Sequence, residues 1–229
     1  PIKLKFQDQR QKNWESVARA IPVLVLDSNS FRLLEGGPKA RRRFLDWGVF
    51  HVEPSFLGNW RTVNRCVANR NTLLRQSRLD KNQIDAWDAE LIRAAVAMDA
   101  ARAAYFARLL PVFQSVYSSL RGEAIDKLTL RYDPGWDSAL DFAAVLSSGL
   151  EADLRYGATQ KGPHRADIKV QIAENLAIEY LSRGQQKILV SALKIAQARL
   201  LAESSGRQCV YLADDLPSEL DKRNRLAVL

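Results

Sequence analysis

The sequence predicts an α/β fold interrupted by an antiparallel pair of long helices. Three observations carry that expectation. A short Gly-containing loop, Leu181-Ser182-Arg183-Gly184-Gln185, opens a helix. An apolar stretch, residues 209–213, runs into two carboxylates, Asp214 and Asp215. Between residues 54 and 110 lie two amphipathic stretches joined by a polar turn.

The helix after the loop has clear signals. Ser182 is a favoured N-cap, because its hydroxyl accepts a bond from a first-turn N–H that otherwise has no partner. From Gln185 to Ala202 there is no Gly or Pro. Leu189, Leu193, Ala196 and Leu200 recur at the spacing of one helix face, and Gly206 stands where such a helix ends. Backbone N–H groups gathered at a helix N-terminus make an anion site. Residues 209–213 read as a buried strand. Asp214 and Asp215 then fall at its carboxyl end, where parallel α/β sheets bind ligands.

Earlier in the chain, Leu4 and Phe6 alternate with lysines as in a half-buried strand, and residues 14–20 read as a short helix. Residues 22–26 read as a buried strand. Pro38 suits the first turn of a helix. Lys39, Arg41, Arg42 and Arg43 follow at once, although cations oppose the dipole at that end. Two readings stand for this cluster: an internal ion-pair network, or contact with the phosphates of DNA or a nucleotide. Residues 54–75 form the first arm helix, with Phe56, Trp60, Val63, Val67 and Leu74 on its core face. The second spans residues 85–110, with Trp87, Leu91, Ala94, Met98, Ala101, Tyr105 and Leu109 packed inward, and Pro111 ends or kinks it. Arg61, Arg65, Arg70, Arg75, Arg78 and Lys81 make the first arm helix and the tip of the arm basic, so this surface is either a solvated outer face or a DNA contact. Residues 128–132 form a strand, 133–135 a turn, 138–155 a helix and 168–172 another strand.

Composition bounds the function. The chain has 229 residues, 47% hydrophobic and 26% charged, with a net charge of +8. That excess favours a polyanion partner. No apolar run approaches the roughly 20 residues of a membrane span, so no membrane partner is expected. Cys66 and Cys209 are too far apart to form a metal or redox motif, which fits a reducing cytoplasm. With His51 and His164 the only histidines, a histidine metal site is not expected. His164 reads as a structural turn residue or as a contact near a nucleotide or DNA. Residues 157–162 carry a G-x-x-x-x-G spacing, but Pro163 and His164 follow where a phosphate loop needs Lys and Ser or Thr.

The motifs together resemble a known family. Leu181-Ser182-Arg183-Gly184-Gln185 is similar to the signature loop of ABC-type ATPases. Val210 to Asp215 resembles a Walker B strand, and Pro217-Ser218-Glu219-Leu220-Asp221 the D-loop after it. Leu34-Glu35-Gly36-Gly37-Pro38-Lys39-Ala40-Arg41-Arg42-Arg43-Phe44-Leu45-Asp46-Trp47-Gly48, then Asn69-Arg70-Asn71-Thr72-Leu73-Leu74-Arg75, then Gly162-Pro163-His164-Arg165-Ala166-Asp167 resemble the RecF family specifically.

The resemblance implies an ABC-type ATPase head of SMC type, partial because its P-loop segment is absent, with an inserted antiparallel helical arm. It implies head segments at 1–37 and 125–229 around an arm at 38–124. A first residue other than Met and the missing P-loop point to a fragment or a processed chain. ATP and Mg²⁺ are the implied cofactors. Ser182, Arg183, Gly184 and Gln185 would meet the γ-phosphate of a nucleotide held by a second head, with Ser218 and Asp221 at the same dimer contact. Asp214 would hold Mg²⁺, and Asp215 would orient or deprotonate the attacking water. Lys39, Arg41, Arg42, Arg43, Arg61 and Arg65 are the candidate DNA contacts. The implied function is a cytoplasmic bacterial DNA-repair ATPase, weak when full length and not expected to hydrolyse ATP without its P-loop. It would act as an ATP-driven homodimer at gapped or single-strand/double-strand junction DNA, and a RecR-type mediator would help it load a recombinase. A non-hydrolytic SMC-like scaffold that binds DNA is the alternative. A general nucleic-acid-binding helical protein is a third.

Overall fold

The structure, a computed structural model, describes residues 4–121 and 128–214. In chain order the elements are β1 (Lys5–Phe6), β2 (Gln9–Arg10), α1 (Glu15–Ala20), β3 (Val23–Leu26), α2 (Arg32–Glu35), α3 (Gly37–Val52), α4 (Phe56–Leu74) and α5 (Lys81–Arg121). Then follow β4 (Leu128–Asp133), α6 (Phe142–Tyr156), β5 (Asp167–Ile172), β6 (Asn175–Leu176), α7 (Ala177–Tyr180), α8 (Arg183–Ser205) and β7 (Val210–Ala213). Two compact units emerge. One comprises Pro1–Glu35, Arg108–Ile125 and Tyr180–Leu229; the other comprises Gly36–Ala107 and Asp126–Glu179. No helix among the described residues is long and apolar enough to cross a membrane.

In the first unit β3 and β7 pair in parallel, with Val23 opposite Val210 and Leu26 opposite Ala213. The register is extended at both ends: Val210 N–H donates to Pro22 O, and Asp214 N–H to Leu26 O. Helix α8 buries Leu189, Leu193, Ala196 and Leu200, the face expected from its spacing. Its Lys194 reaches β3, donating to the Val25 carbonyl and the Ser30 hydroxyl. Burial lowers the Lys194 pKa, with Asp27 opposing that shift.

In the second unit α4 and α5 pair antiparallel. Arg65 meets Glu90, Arg70 meets Asp88, and Leu73 and Leu74 pack on Ile84, so partner numbers fall as α4 advances. The Cys66 thiol lies in this seam, 3.6 Å from Glu90. Burial and Glu90 push it up to about 11, so it is a packing residue and not a nucleophile. Helix α3 lies close against α5: a Cβ on Gly48 would fall 2.1 Å from the Tyr105 hydroxyl oxygen. A three-stranded antiparallel sheet, β4-β5-β6, completes the unit. Tyr132 on β4 donates to Asp99 of α5 at 2.6 Å.

Two expectations for the arm are corrected. Helix α5 does not stop at Pro111 but continues to Arg121. A proline removes one helical hydrogen bond and crowds the carbonyl four residues back, here that of Ala107. The boundary between the two units falls at that point in the sequence. Trp60 is not in the core; it is 38% exposed, while Phe56 and Val63 on the same helix are buried.

Arginines hold the second unit together. Arg70, expected on the basic outer surface of the arm, instead has no exposed surface. It donates to Asp88 at 2.6 Å, Asp153 at 2.6 Å and the Thr159 hydroxyl at 3.0 Å. Arg102, 1% exposed, grips both oxygens of Asp46 at 2.8 and 3.0 Å and donates to Pro163 O at 2.7 Å. Arg41 holds Asp167 in the same two-pronged way, and Arg42 donates to Ala166 O. The 163–167 segment is therefore fixed by three arginines. His164 Nε2 lies 2.9 Å from Thr159 O and must donate to it, which makes His164 a turn residue in this fold.

Two outcomes are expected. Arg70→Ala strands the Asp88 and Asp153 carboxylates, so it should cost about 3–5 kcal/mol in chemical denaturation; a loss below about 1 kcal/mol would contradict this account. The second outcome concerns pH. Burial lowers the His164 pKa, with Arg165 and Arg42 adding to that effect and the Thr159 carbonyl and Asp153 opposing it. The unfolded chain then binds protons more readily below the ordinary histidine value of about 6.5. Stability from the neutral ring is present above that value and is lost as pH falls through the lower folded value. Thermal midpoints should therefore fall from pH 7 towards 5, and fall less in His164→Gln. Parallel curves for the two proteins would rule this out.

Candidate functional site

The N-terminus of α8 is built by a reciprocal cap. Ser182 is extended, with φ −60° and ψ 160°. Its Oγ accepts from Gln185 N–H at 3.3 Å, and Gln185 Oε1 accepts from Ser182 N–H at 2.9 Å. This capping box satisfies two of the N–H groups that a helix start leaves over. The N–H groups of Arg183 and Gly184 have no acceptor among the described residues. Ser182, Arg183 and Gly184 are all exposed. The Ser182 hydroxyl accepts one bond, so its proton is left to donate.

Arg183 and Gly184 lie inside the first helical turn, not in a loop ahead of it. Gly184 does not have a positive φ, and a Cβ built on it meets nothing within 4 Å. Neither backbone angle nor packing calls for glycine there. Arg183 forms an ion pair with Glu35, both residues well exposed. Exposed pairs of this kind contribute less than about 1 kcal/mol, so Arg183 can exchange Glu35 for another anion. Lys187, one turn on, lies over the Phe31 ring at 5.9 Å.

Asp214 follows β7 directly, and its side chain is exposed. The strand differs from its expected burial: Val210, Tyr211 and Leu212 are 46%, 45% and 52% exposed. β7 has a single partner strand, β3, among the described residues. No group of three or more potential metal ligands occurs among the described residues. A lone exposed carboxylate still fits Mg²⁺, which keeps most of its water and needs only one or two carboxylates. Asp215, Ser218 and Asp221 lie outside the described residues.

The basic residues sort into distinct groups. Arg41 is spent on Asp167, and Arg65 pairs with Glu90. Lys39 and Arg43 are exposed and have no ion pair or hydrogen bond among the described residues. With Arg42, Arg102, Asp46 and His164 they line a hollow of about 350 Å³. Burial lowers the Arg42 pKa, and nearby Arg102 and Arg165 lower it further, while Asp167 and Asp46 oppose them. Arg61 lies on α4, one residue beyond Trp60. Sequence reasoning missed Arg102 as part of this hollow. Its signal was a cation four residues after Met98 within the buried stripe of α5, a position that demands a buried carboxylate partner.

No protein-family model matches the chain. Curated relatives do. The chain is 46% identical over 225 residues to the DNA replication and repair protein RecF of Pseudomonas aeruginosa (strain UCBPP-PA14), covering 98% of this chain and 60% of that protein. It is 44% identical over 224 residues to RecF of Chromohalobacter salexigens, covering 98% of this chain and 62% of the relative. The chain thus spans about three-fifths of these relatives' length. Among solved structures, the recombination mediator protein RecF with ATP, from the RecFOR pathway, superposes with a TM-score of 0.86 at 23% identity. That match covers 98% of this chain and 63% of the other. A second structure of the same mediator, with ATPrS, gives 0.84. The fold is that of part of the RecF ABC-type ATPase head with its helical arm, and the chain is homologous to the RecF proteins over nearly its whole length.

Proposed function

We propose that this chain supplies the phosphate-sensing and DNA-facing part of an ATP-dependent DNA-repair protein. The observation that carries the proposal is the N-terminus of α8, where two unpaired N–H groups, a hydroxyl proton and an exchangeable arginine meet at one exposed point. In this reading Ser182, Arg183 and Gly184 bind the γ-phosphate of ATP held by a second copy. Gln185 keeps Ser182 in place through the capping box. The helix N-terminus adds partial positive charge where the phosphate charge sits. Asp214 would hold Mg²⁺ through water, and that ion would neutralise phosphate charge when bound. Asp215 would orient or deprotonate the attacking water, while Ser218 and Asp221 would meet the partner copy.

Gly184 fits this reading, because a missing side chain leaves room for a phosphate beside the backbone. Gly58 and Gly149 stand in equally open helical settings, so the support comes from its place at the helix start. Both copies would contribute equally, so ATP would close a homodimer. That dimer would sit on gapped or junction DNA in the cytoplasm and, with a RecR-type mediator, would assist recombinase loading. Lys39, Arg42, Arg43 and Arg61 are the proposed DNA contacts. Arg41 and Arg65 are weaker candidates because their carboxylate partners already hold them.

Two outcomes test this, both in the chain extended to the length of its relatives. Slow ATP turnover should disappear in Asp215→Asn, with ATP binding retained; unchanged turnover would remove Asp215 from its role. Gly184→Ala should move two measurements in opposite directions. Replacing Gly by Ala inside a helix gains up to about 1 kcal/mol, so the thermal midpoint should rise. ATP-dependent dimerisation, read by sedimentation, should weaken at least tenfold. If dimerisation is unaffected, the backbone at residue 184 does not meet phosphate.

A further inference from the structure

Trp60 and Arg43 form a shared wall between two hollows of different chemistry. The cationic one, about 350 Å³, holds Lys39, Arg42, Arg43 and Arg102 against the single carboxylate of Asp46. That carboxylate is already taken up by Arg102 at both oxygens. His164 adds no charge near pH 7, because burial lowers its pKa despite the bond from its Nε2–H to Thr159 O. The remaining positive charge belongs to Lys39, Arg42 and Arg43. The second hollow, about 250 Å³, is mainly aromatic and aliphatic, lined by Trp47, Phe50, Phe56 and Leu57 together with Trp60, Arg43 and Asp46, the three residues it shares with the first. Its indole wall is 38% exposed.

An anionic group for one hollow and a flat apolar group for the other, joined over a short distance, describe a nucleotide unit. We propose that these adjoining hollows bind single-stranded nucleic acid, one phosphate entering among Lys39, Arg42 and Arg43 and the neighbouring base stacking on Trp60. This rests on the reading of the chain as a DNA-binding protein and goes beyond it by assigning the place of contact: an aromatic platform with a phosphate subsite beside it. Charge complementarity selects the occupant. Lys39 and Arg43 are exposed cations without ion-pair or hydrogen-bond partners among the described residues, while a stacking surface accepts any base. A duplex keeps its bases stacked on one another, so it offers the phosphate but not the free base face. A free nucleotide has the same chemistry, so competition by dTMP separates it from a strand.

The test uses the full-length protein and a fluorescent dT15 oligonucleotide, with a 15-base-pair duplex and dTMP as comparisons. Trp60→Ala should weaken dT15 binding roughly 5- to 100-fold, Trp60→Phe much less, and duplex binding should change little. Lys39→Gln with Arg43→Gln should weaken binding of both. It should also reduce the steepness of the log–log salt dependence for dT15 by about 1.4, the value of two single-strand phosphate contacts. Thermal midpoints of the variants establish that they fold. Ultraviolet cross-linking of 5-iodouracil-substituted dT15 to the unmutated protein should give its main adduct at Trp60, whatever the variants do.

An unchanged dT15 affinity in Trp60→Ala, or a main adduct elsewhere, would overturn the proposal. Competition by dTMP as strong as that of dT15, at equal nucleotide concentration, would overturn the strand reading in favour of a mononucleotide site. If the unmutated protein binds neither dT15 nor duplex, the broader DNA-binding reading fails and this one fails with it. Binding by the unmutated protein that the Trp60 variants leave intact defeats the platform alone.

Discussion

A guanidinium with no exposed surface is the most demanding group in this fold, and Arg70 is one. Taking a charge out of water costs several kcal/mol unless partners replace the lost hydration. Arg70 therefore needs Asp88 from α5, Asp153 from α6 and the Thr159 hydroxyl, all at hydrogen-bond distance. Satisfying it fixes three segments at once. Asn71, the next residue, accepts from both the N–H and the hydroxyl of Thr159 at 2.8 Å. Gln160 N–H then donates to Asp153. Thr159 O in turn receives the His164 ring. The chain from α4 to the 163–167 turn is thus one connected polar network. Apolar packing alone would tolerate small slips of α4 along α5, whereas a buried cation with three fixed partners would not. Arg102 and Arg41 repeat the device where α5 and α3 meet the same turn.

Much of this was legible in the sequence, and the misses have physical causes. Helix α8 was readable because three signals agreed: a capping serine, an unbroken apolar period and a terminal glycine. The structure adds that Gly206 takes φ +68° and that Gln185 completes the box. The strands β3, β4, β5 and β7 were readable from β-branched and apolar runs between turns. Trp60 was misplaced because periodicity gives a face and not its edge, and a residue on the rim of the apolar stripe can turn outward. The end of the helix at Leu110 was misplaced for a related reason. Local chemistry disfavours a helix there, but the buried residues Leu109, Phe113, Val116 and Leu120 keep one face apolar across the proline. That burial outweighs one lost hydrogen bond. The basic cluster could not be divided from sequence at all. Which of four neighbouring cations is spent depends on carboxylates up to 126 positions away, as with Arg41 and Asp167.

The net charge of +8 therefore says less than the way it is distributed. Arginines with buried guanidinium groups are held by carboxylates and carbonyls inside the protein, where they work as cross-braces. The cations left for an outside partner are those on the surface without such a match. Lysine and arginine differ here for a structural reason. A planar guanidinium can grip both oxygens of a carboxylate, and each of Arg41 and Arg102 does so. Lys39, with a single mobile ammonium group, is left exposed beside them.

Glycine offers the same kind of discrimination between fold and function. Gly48 is explained by the approach of α3 to Tyr105, and Gly135, at φ +91°, by a turn in which a Cβ would fall 2.4 Å from the Gly162 carbonyl oxygen. At both positions a side chain would break contacts that are already present. Gly184 has neither reason. It lies in the first turn of a well-capped helix, in open space, at the residue type least suited to a helix interior apart from proline. Gly58 in α4 and Gly149 in α6 stand in equally open helical settings, so what sets Gly184 apart is its place at a helix start, where the N–H groups of residues 183 and 184 have no acceptor among the described residues. In the proposed contact, the oxygens of a phosphate would take those two N–H groups together with the Ser182 hydroxyl.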